Sequence, residues 1–132
     1  MSVPKALIEW AIFCRLDDNK DAQLILLKGH LMLEVILSEI LEDSNLSFYG
    51  KTNKFQNIFS DHFISMTLLE LNDIRNEMAH TWNFEVENSG LAAWSDRVLS
   101  KIKYETGLLK TKRTKVAHAI AALAGALYQY KR

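Results

Sequence analysis

Apolar side chains return every three or four positions along most of this chain, and the interruptions in that rhythm divide it into helices. Pro4 suits the first turn of a helix over Lys5 to Leu16, with Leu7, Trp10, Ala11 and Phe13 turned inward and Asp17-Asp18-Asn19 ending it. A second helix spans about Asp21 to Glu42, with Asp18 as candidate cap. Its leucines, isoleucines and valine occupy almost the whole circumference, as expected of a central helix. Asp43 to Asn53 reads as a loop, and Lys54 to Phe59 as a short helix carrying Phe55, Ile58 and Phe59. A fourth helix starts near Ser65, where Thr67-Leu68-Leu69-Glu70 offers a capping box, and its last turns fall within Leu71 to Trp82. Trp82, Phe84 and Val86 then alternate with Asn83 and Glu85, which predicts a short extended arm. Ser89 caps a fifth helix bearing Leu91, Trp94, Val98 and Ile102, and Gly107 breaks it. The last helix runs from about Lys110 to Tyr130. Its stripe of Val116, Ile120, Leu123 and Leu127 is flanked by Ala117, Ala121, Ala122, Gly125 and Ala126, small residues that let a neighbour come close, inside the bundle or across a dimer axis.

The fold class is therefore all-α, a compact up-and-down bundle of about five or six helices with a short extended arm after the fourth. With 132 residues, 48% of them hydrophobic and a single proline, the expectation is one domain over residues 1–132 with material for a real core. Lys+Arg and Asp+Glu both number 16, so no global field draws the protein to nucleic acid or to an anionic membrane, and any RNA contact must be local. The lone Cys14 allows no internal disulfide and no metal-ligand spacing, and it reads as a small core hydrophobe in a reducing compartment. The apolar run Ala6 to Cys14 is interrupted by Glu9 and lacks a cleavage-site pattern. Ala119 to Tyr128 falls far short of the roughly 20 residues a bilayer requires. A cytoplasmic protein with no membrane partner and no cofactor or metal is expected.

Chemistry-bearing residues concentrate in Leu71-Asn72-Asp73-Ile74-Arg75-Asn76-Glu77-Met78-Ala79-His80-Thr81-Trp82. On a helix, Leu68, Leu71, Met78 and Trp82 share one side, while Asp73, Asn76, Glu77 and His80 share the other. Arg75 falls among the apolar residues, an expensive place for a guanidinium without a partner. It either pairs with an acid on a neighbouring helix, Glu34 being one candidate, or points into a cleft that takes a phosphate or a second subunit. Arg75 and His80 stand about 140° apart around the axis and about 7.5 Å along it, so they do not sit side by side, whereas Asn76 and His80 are an i,i+4 pair. His30 reads as a satisfied, partly buried histidine.

Arg75-Asn76-Glu77-Met78-Ala79-His80 resembles the R-x4–6-H signature of the HEPN superfamily, with the polar residue that often follows the arginine. Lys28-Gly29-His30-Leu31-Met32-Leu33-Glu34 and Leu46-Ser47-Phe48-Tyr49 are similar to segments of small bacterial HEPN proteins and their mannitol-operon-repressor-like relatives, so the likeness covers roughly residues 21 to 86. The resemblance implies metal-independent RNA cleavage with Arg75, His80 and Asn76 as site residues. It implies a homodimer whose subunits share one cleft, and a nucleotidyltransferase-type antitoxin as a companion. The chemistry suits the residues: an imidazole titrating near neutrality takes a proton from a ribose 2′-hydroxyl, an arginine steadies the charge that builds on phosphate, and Asn76 orients the imidazole or binds a phosphate oxygen.

The competing expectation is a non-catalytic regulatory or protein-interaction module of the mannitol-repressor-like type, with Arg75, Asn76 and His80 as polar residues at a subunit seam. No helix-turn-helix is recognisable. Lys110, Lys112, Arg113 and Lys115 form the basic cluster, either a solvated helix start or an RNA contact. Cations there oppose the helix macrodipole.

Overall fold

A computed structural model describes residues 4–17, 21–103 and 112–131. They form six α-helices: α1 (Lys5–Asp17), α2 (Ala22–Leu41), α3 (Phe48–Phe59), α4 (His62–His80), α5 (Leu91–Lys101) and α6 (Lys112–Tyr128). One 3-10 turn, Val86–Asn88, interrupts the connection between α4 and α5, and no strand occurs among the described residues. None of these helices is long and apolar enough to cross a membrane.

Caps set the boundaries, and they move two of the predicted helix starts. Asp21 caps α2 by accepting from the Gln23 amide at 2.9 Å. Asp18, the candidate cap, and Gly107, the predicted breaker, lie outside the described residues. Ser47 accepts from the Gly50 amide at 3.1 Å, so α3 begins at Phe48 and absorbs half of the segment expected to be loop. Its apolar face is Phe48 and Phe55, spaced seven apart, with charged residues between them masking the repeat. Asp61 accepts from the Ile64 amide at 3.1 Å and starts α4 at His62, about one turn ahead of the predicted start near Ser65 and further still from the capping box at Thr67 to Glu70. Thr67 is buried there.

Helix α2 packs against α1, α3, α4 and α6, as expected of a central helix, but α6 is the more completely enclosed. Every residue from Val116 to Gly125 is buried, and α6 packs against α1, α2 and α5. Its alanines let three helices approach at once, which places the small residues inside the bundle. Gly29 of α2 shows how close: a Cβ there would lie 2.5 Å from Cδ1 of Ile120.

Two faces differ from the pattern reading. Helix α1 turns Phe13 and Leu16 into the core, with Ile8 and Ile12 partly buried against it. Leu7 is 58% exposed and Trp10 50%, and Ala11 and Cys14 face outward too. The face of α1 on α6 includes the buried Glu9, 3.3 Å from Lys5 Nζ, so polar residues occupy the inner side where pattern alone puts apolar ones. Helix α2 leaves Leu24, Leu27, Leu31 and Val35 exposed.

Helix α4 bridges α2, α3 and α5. Trp94 Nε1 on α5 donates to the Thr67 carbonyl at 3.0 Å, and Arg97 Nη2 donates to Glu70 Oε2 at 2.6 Å. At its first turn Asp61 Oδ2 accepts from the hydroxyl of Tyr130, just past α6. All of its fully buried side chains lie between Ile64 and Leu71.

The arm after α4 has extended backbone at Thr81 and Glu85, with a turn between them. Phe84 is buried and Val86 packs against the core, but Trp82 is 97% exposed, so the predicted alternation does not put all three on one side. The N-cap of α5 is Gly90, in left-handed backbone at φ 83°, rather than the predicted Ser89, which stands one position earlier and whose Oγ accepts from the Leu91 amide at 3.3 Å.

Candidate functional site

The polar residues of α4 gather on its second half, where it passes α2. Asn72, Arg75 and Asn76 are half-buried and separated by three and four positions, so they form a ridge along the helix. His80 closes α4 and is exposed, one turn beyond Asn76.

Opposite Asn72 stands His30 of α2. Its Nε2 lies 2.8 Å from Asn72 Oδ1, and its ring stacks on Phe48 of α3 with centroids 4.2 Å apart. The sequence reading of a satisfied histidine thus gains a named partner. Burial pushes the His30 pKa below its ordinary value of 6.5 and the nearby Arg75 charge adds to that, against the opposing hydrogen bond with Asn72 and the charge of Glu34. The ring is therefore held neutral near pH 7.

Arg75 does not pair with Glu34. That carboxylate sits 3.4 Å from the ammonium of Lys51, a buried lysine of α3. Lys51 was hidden in a predicted loop, which is why Glu34 looked available. Among the described residues Arg75 makes no ion pair; its Nη1 donates to Asn76 Oδ1 at 3.3 Å, and its Nε is buried with no hydrogen-bond partner. Asn76 thereby meets Arg75 as well as lying one turn from His80.

Arg75 and His80 are not brought together within one chain. Both stand on the last turns of α4, but the arginine lies near His30 of α2 and the histidine is exposed to solvent. Asn72 and His30 complete the polar cluster. Asn72 carries a signal in the sequence, its i,i+4 spacing to Asn76, whereas the approach of His30 depends on how α2 crosses α4.

Beyond His80 the surface is acidic. A recess of about 220 Å³ is lined by Glu77, Thr81, Asn83, Phe84, Glu85 and Asn88. A second, about 370 Å³, includes Asp21, Glu85 and Glu87. Neither includes Arg75 or His80, and both would repel a phosphate.

The basic cluster is only partly in view. Lys110 lies outside the described residues, as do the side chains of Lys112 and Arg113. Lys115 Nζ is 2.9 Å from Asp96 Oδ1 of α5, so its charge is already engaged. No group of three His, Cys, Asp or Glu side chains suited to a metal ion occurs among the described residues.

No protein-family model, curated protein or solved structure matches the chain.

Proposed function

We propose that the protein is a metal-independent endoribonuclease of HEPN type, working as a homodimer whose two chains together furnish Arg75 and His80. The observation that supports this reading is Arg75: a half-buried guanidinium with a buried, unpartnered Nε and no carboxylate among the described residues. Such a group is costly in the free protein and ready for an anion from outside. A bridging phosphate is the anion that RNA brings.

In this reaction His80 takes the proton of a ribose 2′-hydroxyl as that oxygen attacks phosphorus. Arg75 holds the phosphate oxygens while negative charge builds, helped by the Asn76 amide. The 5′-oxygen leaves with a proton from water or from a second imidazolium, and a 2′,3′-cyclic phosphate remains. Exposure of His80 leaves it free to reach a substrate. Its separation from Arg75 in one chain makes the composite site the economical arrangement.

The acidic recesses beside the motif favour a second reading, a non-catalytic helical interaction module, because they oppose a polynucleotide and suit a basic protein partner. A nucleotidyltransferase-type antitoxin would be the companion under the first reading.

The deciding experiment incubates total bacterial RNA with the purified protein in excess chelator, beside His80→Ala. Fragments with cyclic-phosphate ends from the intact protein alone support the nuclease. RNA left whole by both proteins favours the interaction module.

A further inference from the structure

We infer that the exposed face of α2 is a self-association surface, on which a second copy of this chain packs its own α2 in antiparallel two-fold register. Leu24, Leu27, Leu31 and Val35 follow one another at spacings of three and four, a seam like that of a helix pair, and Leu31 and Val35 are 58% and 51% exposed. Four large aliphatic side chains aligned on one helix are more than scattered surface apolarity.

Charge identifies the occupant. Lys28 and Glu39 lie on one edge of the seam, about 20° apart around the helix. Both are exposed, and neither forms an ion pair among the described residues. Their midpoint along α2 nearly coincides with that of Leu31 and Val35, close to residue 33. A two-fold axis at that point lays Leu31 of one chain on Val35 of the other and, because it keeps like edges together, sets each Lys28 against the partner's Glu39. One operation satisfies both the apolar seam and the charges, as an isologous interface requires.

The surface also reaches the candidate site. A 20-residue helix is about 30 Å long and a single face about 10 Å wide, so α2 alone supplies about 300 Å² of the roughly 800 Å² per partner typical of a stable contact. The contact must therefore spread to a neighbouring helix. On the edge away from Lys28, Leu27 lies about 60° from His30 and about 20° from Glu34, the side where α4 carries Asn72 and, near His30, Arg75. The same two-fold brings both of these α4 segments to that side of the dimer. This interface deepens the composite-site reading above, yet its existence does not depend on RNA cleavage.

The test measures mass by sedimentation across a concentration series, without RNA, for the full chain and four variants. Circular dichroism checks each fold, and all the altered positions are exposed. The expected results are a dimer for the unaltered chain and a monomer for Leu31→Asp. Lys28→Glu or Glu39→Lys alone should weaken association about tenfold. The exchanged pair, Lys28→Glu with Glu39→Lys, should recover it. A monomeric unaltered chain overturns the proposal and leaves the face to a different protein. A dimer indifferent to the swaps, or one not recovered by the exchanged pair, overturns it as well. A dimer that behaves as expected but leaves RNA whole sinks the nuclease and keeps the interface.

Discussion

His30 Nε2 and Asn72 Oδ1 stand 2.8 Å apart across the seam between α2 and α4, within reach of the Arg75 charge. Because burial lowers the His30 pKa in the folded protein, the unfolded chain binds a proton at a higher pH than the folded one does. The stability this histidine contributes is complete above about pH 6.5 and is lost as pH falls through the lowered folded value. Denaturant titrations between pH 7.5 and 5 should show stability declining over that range. His30→Phe keeps the ring against Phe48 but removes the titration, so its profile should be flatter. At pH 7 it should cost about 1 kcal/mol for the lost hydrogen bond. An equal slope in both proteins would assign the pH dependence elsewhere.

Replacing Arg75 should separate stability from activity. Arg75→Met retains the aliphatic stem and removes a guanidinium whose Nε has no partner. The variant should match or exceed the parent in stability by up to about 1 kcal/mol, measured by urea midpoint, while losing RNA cleavage. A loss of several kcal/mol would mean that the arginine is a structural ion after all.

Gly29 and Ile120 set the distance between α2 and α6. Alanine at position 29 gains about 1 kcal/mol of helix preference but forces a fully buried isoleucine to move, at a cost of about 1 to 3 kcal/mol. The net expectation for Gly29→Ala is a loss of about 1 kcal/mol. Ile120→Val removes the Cδ1 that a new methyl would strike, so the double variant should be no less stable than Ile120→Val alone. Simple additivity in a thermal melt would contradict this packing.

Tyr130 and Asp61 tie the end of α6 to the start of α4. The hydrogen bond to Asp61, with smaller contributions from burial and the carboxylate charge, pushes the Tyr130 pKa up to about 12. Its folded pKa lies above its unfolded one, so the bond's contribution is whole below pH 10 and disappears between there and about 12. Tyr130→Phe should cost about 1 kcal/mol at pH 8 and remove part of the alkaline loss, as followed by helix signal against pH.

The all-helical fold was legible because the dominant signal, apolar return at three and four positions, is local. Boundaries were legible where one strong cap stood alone, and misplaced where two caps competed, as Asp61 did with Thr67. Which face of an amphipathic helix turns inward depends on its neighbours. On α1 the pattern places Leu7, Trp10 and Ala11 inward beside Phe13, whereas the neighbouring helices accept Phe13 together with Leu16 and leave the other three outside. Arg75, Asn76 and His80 could be picked out because a charged motif on an apolar repeat is conspicuous. The engagement of Glu34 by Lys51, and of Lys115 by Asp96, belongs to helix packing, which no spacing encodes.

The uneven anchoring of α4 gives the helix a gradient of opening. Its first turn is capped and tied by Asp61, and its first ten residues hold every side chain it buries fully, while the turns bearing Arg75 and His80 are at most partly buried. Amide protons should therefore exchange slowly from Ile64 to Leu71 and progressively faster toward His80. The motif thus sits at the end that frays first, where a ligand can draw the last two turns into order without disturbing the core. Protection appearing in those turns alone, on addition of an anion, would be the mark of that ordering.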